Sequence, residues 1–364
     1  MNTHINKKAL LLFCMFTIAI LSSKAQSESR SKILSDKDIE WIKAIKEHVI
    51  INGYAHAGYA YSDANDKTKS DFNLKRTLLW AKVRVTDRLT ALFMHDFNSK
   101  VQEFWADYRI TNNEAMHVKF GQFKNSLSIE NPLSPVYLEL VDVCSQSVTS
   151  LTGCYDPLYG LNYGRDIGLE IYGDLFDNHI RYELEVMNGQ GINVRDGNSD
   201  KDVIAKIEYK PVKELRLAVS GQKGRGHAVG TAAWNPEIKE GDDYRRDRIT
   251  AGFEWKSGQY APGPHKEARP ISIRAEYLAG KDGKVDSQGA YATTTVPVYK
   301  GIDIVGSIDY FDRNIDMDYR QTQATVGAQY WFYKKCRLQL QYTRTWSEYQ
   351  KDYNWLQAQL QLAF

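Results

Sequence analysis

From Val49 to the C-terminus the chain repeats one pattern, apolar residues at every second position with polar residues between them. Leu79, Ala81, Val83 and Val85 alternate with Trp80, Lys82 and Arg84. Ile180, Tyr182, Leu184 and Val186 alternate with Arg181, Glu183 and Glu185. Leu215, Leu217 and Val219 form a third such row, and Ile249, Ala251, Phe253 and Trp255 a fourth. A period of two with one greasy and one polar face is a strand between two unlike surroundings. No convincing helical period follows Val49. The sharpest alternation comes last: Leu356, Ala358, Leu360, Leu362 and Phe364 are apolar, and Gln357, Gln359 and Gln361 lie between them.

The connections alternate in length. Thr86–Arg88, Thr111–Glu114, Leu175–Asn178, Pro211–Glu214, Pro297–Gly301 and Tyr333–Lys335 are short. Ser62–Ser70, Asn125–Gly164, Asn188–Lys201, Lys223–Arg246, Gly280–Gln288, Asp312–Tyr319 and Ser347–Asp352 are longer and fall between them. Short turns at one rim and long loops at the other mark a barrel that crosses a membrane. Ser257–Glu267 is long for the short rim and Asn98–Lys100 short for the long one; with both included the count is about 16 strands. A soluble β-sandwich would alternate in the same way, but without the directional loop asymmetry. The sequence therefore predicts an all-β fold, a transmembrane antiparallel β-barrel. Phe364 ends the last strand where interfacial aromatics are favoured, and Tyr330, Trp331, Phe332 and Tyr333 read as part of an aromatic girdle at the same rim.

The first residues follow a different rule. Lys7 and Lys8 precede an apolar run from Ala9 to Leu21, and Ser23-Lys24-Ala25 is a small-x-small cleavage site. Residues 1–25 are read as a signal peptide. Residues 26–48 are a short periplasmic segment with a helical pattern, Ser35 capping with Asp38 and Ile39, Ile42 and Ile45 recurring. Residues 49–364 are the barrel, in a bacterial outer membrane. The signal holds three Lys and no acid, so the formal charge of +2 becomes −1 without it. Nucleic acid is therefore not an expected partner. Mean hydropathy of −0.50 excludes a bundle of apolar membrane helices.

Chemistry-bearing motifs are absent. There is no nucleophile elbow, phosphate loop or HExxH, and the eight His are scattered without ligand spacing, so no enzyme, cofactor or metal is expected. Cys144 and Cys154, close together in one irregular segment, are candidates for a disulfide in an oxidising compartment. Cys336 is read as a small residue at a strand start.

Three stretches carry a family likeness: Lys119-Phe-Gly-Gln-Phe-Lys124 with Ser126-Leu-Ser-Ile-Glu130; Gly164-Arg-Asp-Ile-Gly168 through Tyr172-Gly-Asp-Leu-Phe176 to Val186-Met-Asn-Gly189; and Gln329-Tyr-Trp-Phe-Tyr333 through Arg337-Leu-Gln-Leu340 to the terminal Phe364. In order and spacing they resemble the phosphate-selective porins O and P. The resemblance implies a 16-stranded, homotrimeric porin whose third outer loop folds inward to narrow the bore. Asn125–Gly164 holds that place. The terminal strand looks like the signal read by the outer-membrane assembly machinery, with membrane lipid around the wall.

Selectivity in a wet barrel follows the charges facing inward. The row opposite the apolar face supplies the basic candidates Arg76, Lys82, Arg84, Arg109, Lys119, Arg181, Lys206, Arg216, Arg248, Arg274 and Arg337. The same row supplies Asp107, Asp166, Glu170, Glu183, Glu185, Glu208, Glu254, Glu276, Asp303 and Asp309. A basic ladder exists only in part, as Arg76, Lys82 and Arg84, and most other charges are expected to brace the wall as cross-strand pairs. Lys119, Lys124 and Arg165 flank the third loop and form a candidate anion cluster. The function expected is passive diffusion of small hydrophilic solutes, anions such as phosphate among them. The alternative is a non-conducting barrel whose outer loops bind a glycan or protein through Trp234 and Asn235.

Overall fold

The computed structural model describes residues 48–64, 69–258 and 269–364. The expected signal peptide and lead-in helix lie outside these residues, as does much of Ser257–Glu267. The chain divides into two units, residues 1–49 and 50–364; of the first, only 48 and 49 are described.

The strands are β1 (Val49–Ser62), β2 (Ser70–Arg84), β3 (Leu89–Asp96), β4 (Val101–Arg109), β5 (His117–Lys124), β6 (Tyr155–Asp156), β7 (Gly160–Leu161), β8 (Arg165–Leu175), β9 (Ile180–Met187), β10 (Asp202–Val212), β11 (Leu215–Lys223), β12 (Arg225–His227), β13 (Asp243–Lys256), β14 (Ser272–Asp282), β15 (Val285–Tyr299), β16 (Ile302–Asp312), β17 (Arg320–Tyr333), β18 (Cys336–Ser347) and β19 (Tyr353–Ala363). Apart from β6, β7 and the three-residue β12, they make a closed antiparallel barrel of 16 strands. Closure is made by β1 against β19, from Tyr54 opposite Ala363 to Ser62 opposite Trp355. A sheet closed on itself has no free edge, the condition for a sheet inside a bilayer.

The alternation sorts the two faces as expected. Val203, Ile207, Val219, Ile249, Ile308, Val326, Leu338 and Leu340 are exposed on the outside. Their neighbours Lys206, Ser220, Arg248, Asp309, Gln339 and Gln341 are buried. Buried polar rows beside exposed apolar rows are the reverse of a water-soluble sandwich, and they fit a barrel in lipid. Leu356 and Leu362 of β19 and the following Phe364 are exposed, while Gln357, Gln359 and Gln361 turn inward.

Four expectations are corrected. Gly280–Gln288 is not a long loop: β14 and β15 run on to Asp282 and Val285, joined by a tight turn in which Gly283 takes φ 63°. Trp331 is not in the aromatic girdle. It is fully buried, its indole N–H donating to Asp303 at 2.9 Å, whereas Tyr330, Phe332 and Tyr333 are exposed. The region after Val49 does hold a helix, α1 (Gln146–Leu151), started by the Ser145 side chain accepting from the Val148 N–H. A 3₁₀ turn, Ile315–Met317, is capped by Asn314 in the same way. Finally, β2 breaks strict alternation. Lys75 reaches Asp142 and the Val141 carbonyl inside the barrel, while the adjacent Arg76 also lines an interior cavity.

Candidate pore lining and constriction

The segment from Asn125 to Gly164 decides what the lumen is. A loop in water does not bury Leu127, Ile129, Leu138, Val141, Val148, Leu151 and Leu158, yet all seven are buried here. They are received by apolar side chains set into otherwise polar inner rows. Leu127 packs on Phe123, Met187 and Ile204, and Val136 on Tyr54 and Leu78. Val148 and Leu151 pack on Leu278, Tyr291 and Phe311. Each such side chain contributes roughly 1.5–3 kcal/mol on leaving water.

Polar contacts fix the register of the segment. Glu276 of β14 accepts from the Ser128 hydroxyl at 2.6 Å and the Ile129 N–H at 2.7 Å, and Lys206 of β10 donates to the Ser128 carbonyl at 3.0 Å. From β18, Arg337 donates to the Leu138 carbonyl at 2.6 Å. Gln339 and Gln341 donate to the Glu139 carbonyl at 2.9 and 2.7 Å. Gln341 also accepts from Val141, and Gln357 of β19 donates to Asp142. Asp309 of β16 accepts from the Gln146 N–H at 2.6 Å, Arg248 of β13 donates to the Leu151 carbonyl at 3.0 Å, and Arg313 bonds Asp156 at 2.6 Å. A segment held from β10 and β14 as well as from β18 and β19 crosses the interior. The glutamine row of β19 therefore lies against the inward segment and not against open water.

The segment's own chain is tightly set. At Gly164, φ is 69° and an added Cβ would lie 1.8 Å from Asn131 Oδ1, so only glycine passes there. Val143 has φ 83°, a strained conformation for a β-branched residue.

Cys144 and Cys154 flank α1 and are free thiols in contact, Cys144 donating to Cys154. That hydrogen bond, aided by the Thr152 hydroxyl, Lys124 and Arg165 against the opposing effect of burial, holds the Cys154 thiol down to about 6. The donated hydrogen bond and burial push Cys144 up. Cys336 opens β18, as expected of it.

Glu130 is buried at the centre of the segment. Its carboxylate accepts from the Ser145 N–H at 2.8 Å and lies 3.7 Å from the Arg274 guanidinium. Burial pushes its carboxyl up to about 8, with Arg274 opposing and the neighbouring Glu276 and Glu139 adding to the rise. A raised carboxyl stabilises its setting below the ordinary carboxylate range, and that contribution is lost as pH rises through the folded value. Open-channel current noise is expected to grow as pH rises through about 8. Glu130→Gln should flatten the profile, and equally quiet wild-type currents on both sides of that pH would refute the assignment.

The space left beside the segment is a cavity of about 180 Å³ between it and β1–β5. Its lining includes Arg76, Lys124 and Arg165 as cations, Asp96 and Asp142 as acids, and both thiols. Lys124 and Arg165 are register partners across β5 and β8. Lys124 donates to the Leu133 carbonyl at 2.7 Å, Arg165 bonds Glu103 at 2.8 Å, and Arg76 lies beside the Tyr54 hydroxyl.

The other basic candidates sort differently. Lys119 is not part of this cluster: it pairs with Glu170 and sits against the Trp105, Phe123 and Tyr172 rings. Arg109 bonds Glu114 at 2.9 Å, Arg181 bonds Asp174 and Glu183, and Arg216 bonds Glu254 at 3.0 Å. These are the wall-bracing pairs. Lys82 and Arg84 are exposed near the short-turn end of β2. Lys75 escaped the sequence reading because strict alternation places it on the lipid face. Trp234 and Asn235 are buried, the tryptophan under the Arg313 guanidinium 3.5 Å from its ring, so they anchor an outer loop and offer no surface to a glycan.

No protein-family model and no curated protein matches the chain. Solved structures do. OmpT of Vibrio cholerae in its trimer form aligns with a TM-score of 0.62 at 12% identity, covering 87% of this chain and 99% of that one. An anion-selective porin from Comamonas acidovorans aligns at 0.58 and 16% identity, covering 87% and 99%. Pseudomonas putida OprB aligns at 0.63 and 10% identity, covering 89% and 96%. What this chain shares with these proteins, at such identities, is the barrel fold.

Proposed function

We propose that the protein is a narrow outer-membrane porin through which small hydrophilic solutes diffuse, with a preference for small anions, phosphate among them. The observation that carries the reading is the cavity beside the inward segment, where three cations meet two acids. Three cations against two acids in a confined space favour anions modestly where the Cys154 thiol is protonated, and its ionisation removes the excess. Lys119, Arg181, Lys206, Arg216, Arg248 and Arg274 are each paired with an acid, which argues against the long arginine ladder that strong phosphate selectivity needs. The anion-selective Comamonas porin has the same barrel fold, and the OmpT trimer supports a trimeric assembly here. Neither requires an enzyme or a cofactor.

Reversal potential across a planar bilayer in a KCl gradient tests this. Modest chloride preference is expected, falling toward neutrality or reversing in Arg165→Glu. Cation preference in the wild type would refute it. Silence from correctly folded protein would favour the second reading, a non-conducting barrel, which the filling of the lumen by the Asn125–Gly164 segment specifically supports.

A further inference from the structure

A second concavity lies outside the lumen. It is an open groove of about 1030 Å³ on the outer face of β10, β11 and β13, at the long-loop end. Gly221 makes the dent. It stands in register between Ala205 and Ile249, so the wall there has almost no side-chain relief, and the exposed Val203 and Ile249 form the sides. Such a floor is apolar and free of projecting side chains, which suits a hydrocarbon chain.

Above it the groove turns cationic. Lys201, Lys223, Arg225 and Arg245 line that end, against Asp200 and Asp247. Arg225 and Arg245 are direct cross-strand partners. Like charges opposite one another destabilise a sheet. The compensation in place is weak: Arg225 reaches Asp200 at 3.3 Å with both side chains exposed, and Arg245 pairs with Asp247. Exposed pairs of this kind are worth roughly 0–1 kcal/mol. Lys201 is matched by Asp196. An oxyanion between the two guanidiniums would relieve the repulsion and accept their paired donors.

We propose that this groove binds a phosphorylated glycolipid of the outer leaflet, one acyl chain lying on Val203, Gly221 and Ile249 and a phosphate held by Arg225, Arg245 and Lys223. Charge complementarity and an apolar floor directly below it favour a lipid phosphate over free phosphate, which has no use for the floor. The inference rests on the outer-membrane part of the proposed function and not on conduction.

The test is native mass spectrometry of the folded full-length barrel in detergent, with bisphosphorylated lipid A as probe. Heat-modifiable electrophoretic mobility serves as the check on folding. Wild type should retain lipid A, and Arg225→Gln/Arg245→Gln should weaken binding about tenfold or more, since each lost charged contact of about 1.4 kcal/mol is worth that factor. Gly221→Leu, which fills the floor and leaves the cations, should weaken it independently. Equal retention of the dephosphorylated lipid, equal retention of phosphatidylglycerol, or displacement by inorganic phosphate alone would each overturn the assignment. Single-channel currents from the same preparations separate the two readings: lipid bound by a silent barrel would sink the porin and leave the lipid site standing.

Discussion

Replacing residues 126–163 with a short flexible turn is expected to give a barrel that still folds and passes several-fold more current than the wild type. The wall is self-sufficient: every neighbouring strand pair is joined by its own hydrogen-bond ladder, including β1 to β19, and none of those ladders runs through the excised residues. The wall groups that now receive the segment would meet water instead, which satisfies Arg337, Gln339, Gln341 and Glu276 at little cost. The exposed penalty is apolar. Leu78, Ile204 and Leu278 would each lose roughly 1.5–3 kcal/mol of burial. A lower melting temperature should therefore accompany the larger conductance. A 16-stranded barrel without an inward segment leaves an aqueous channel. Unchanged conductance in a folded deletion variant would mean that the segment is not the constriction and that solutes take another path.

The wall was readable from the sequence because a strand between lipid and anything polar must alternate. Leu338, Leu340, Leu356 and Leu362 announced their face without any knowledge of partners, and about sixteen strands followed from counting the connections between such rows. What the inner row touches was not readable. Gln339, Gln341 and Gln357 look the same whether they face water or a folded-in backbone, since a side-chain amide satisfies either. The residues that decide the matter are the exceptions, Leu78, Ile204 and Leu278, apolar in rows that should be polar. In the sequence they pass as noise, but each marks a docking point for the loop. Lys75 was hidden for the opposite reason: it and the adjacent Arg76 both reach the interior, and period-two reading has no signal for that. The Gly280–Gln288 error came from composition, where Gly, Lys and Asp imitated a loop although a two-residue turn served. Lys119 was grouped with Lys124 by sequence distance alone, and the pairing with Glu170 across β5 and β8 separates them.

The second large effect is expected from one side chain. Glu276 is almost wholly buried, and its two oxygens accept from the Ser128 hydroxyl, the Ile129 N–H and the Tyr291 hydroxyl at 2.6, 2.7 and 2.7 Å. A hydrogen bond to a charged group contributes about 1.5–3 kcal/mol. Glu276→Ala removes these three together with a longer one from the Glu130 N–H at 3.4 Å, and leaves Ser128, Ile129 and Tyr291 with unmet donors inside the barrel. Lys206 and Ser220 still hold Ser128 from β10 and β11, so the segment should loosen at its first third and not detach. The expected result is flickering single-channel current and protease cleavage within residues 125–164, with the strands protected as in the wild type. Glu276→Gln separates charge from shape: it keeps one acceptor oxygen but turns the other position into a donor facing donors. Its effect should therefore approach that of alanine. If Glu276→Gln behaves as wild type, the segment is held chiefly by its apolar contacts with Ile204, Leu278 and Leu78, and the carboxylate is incidental to the constriction.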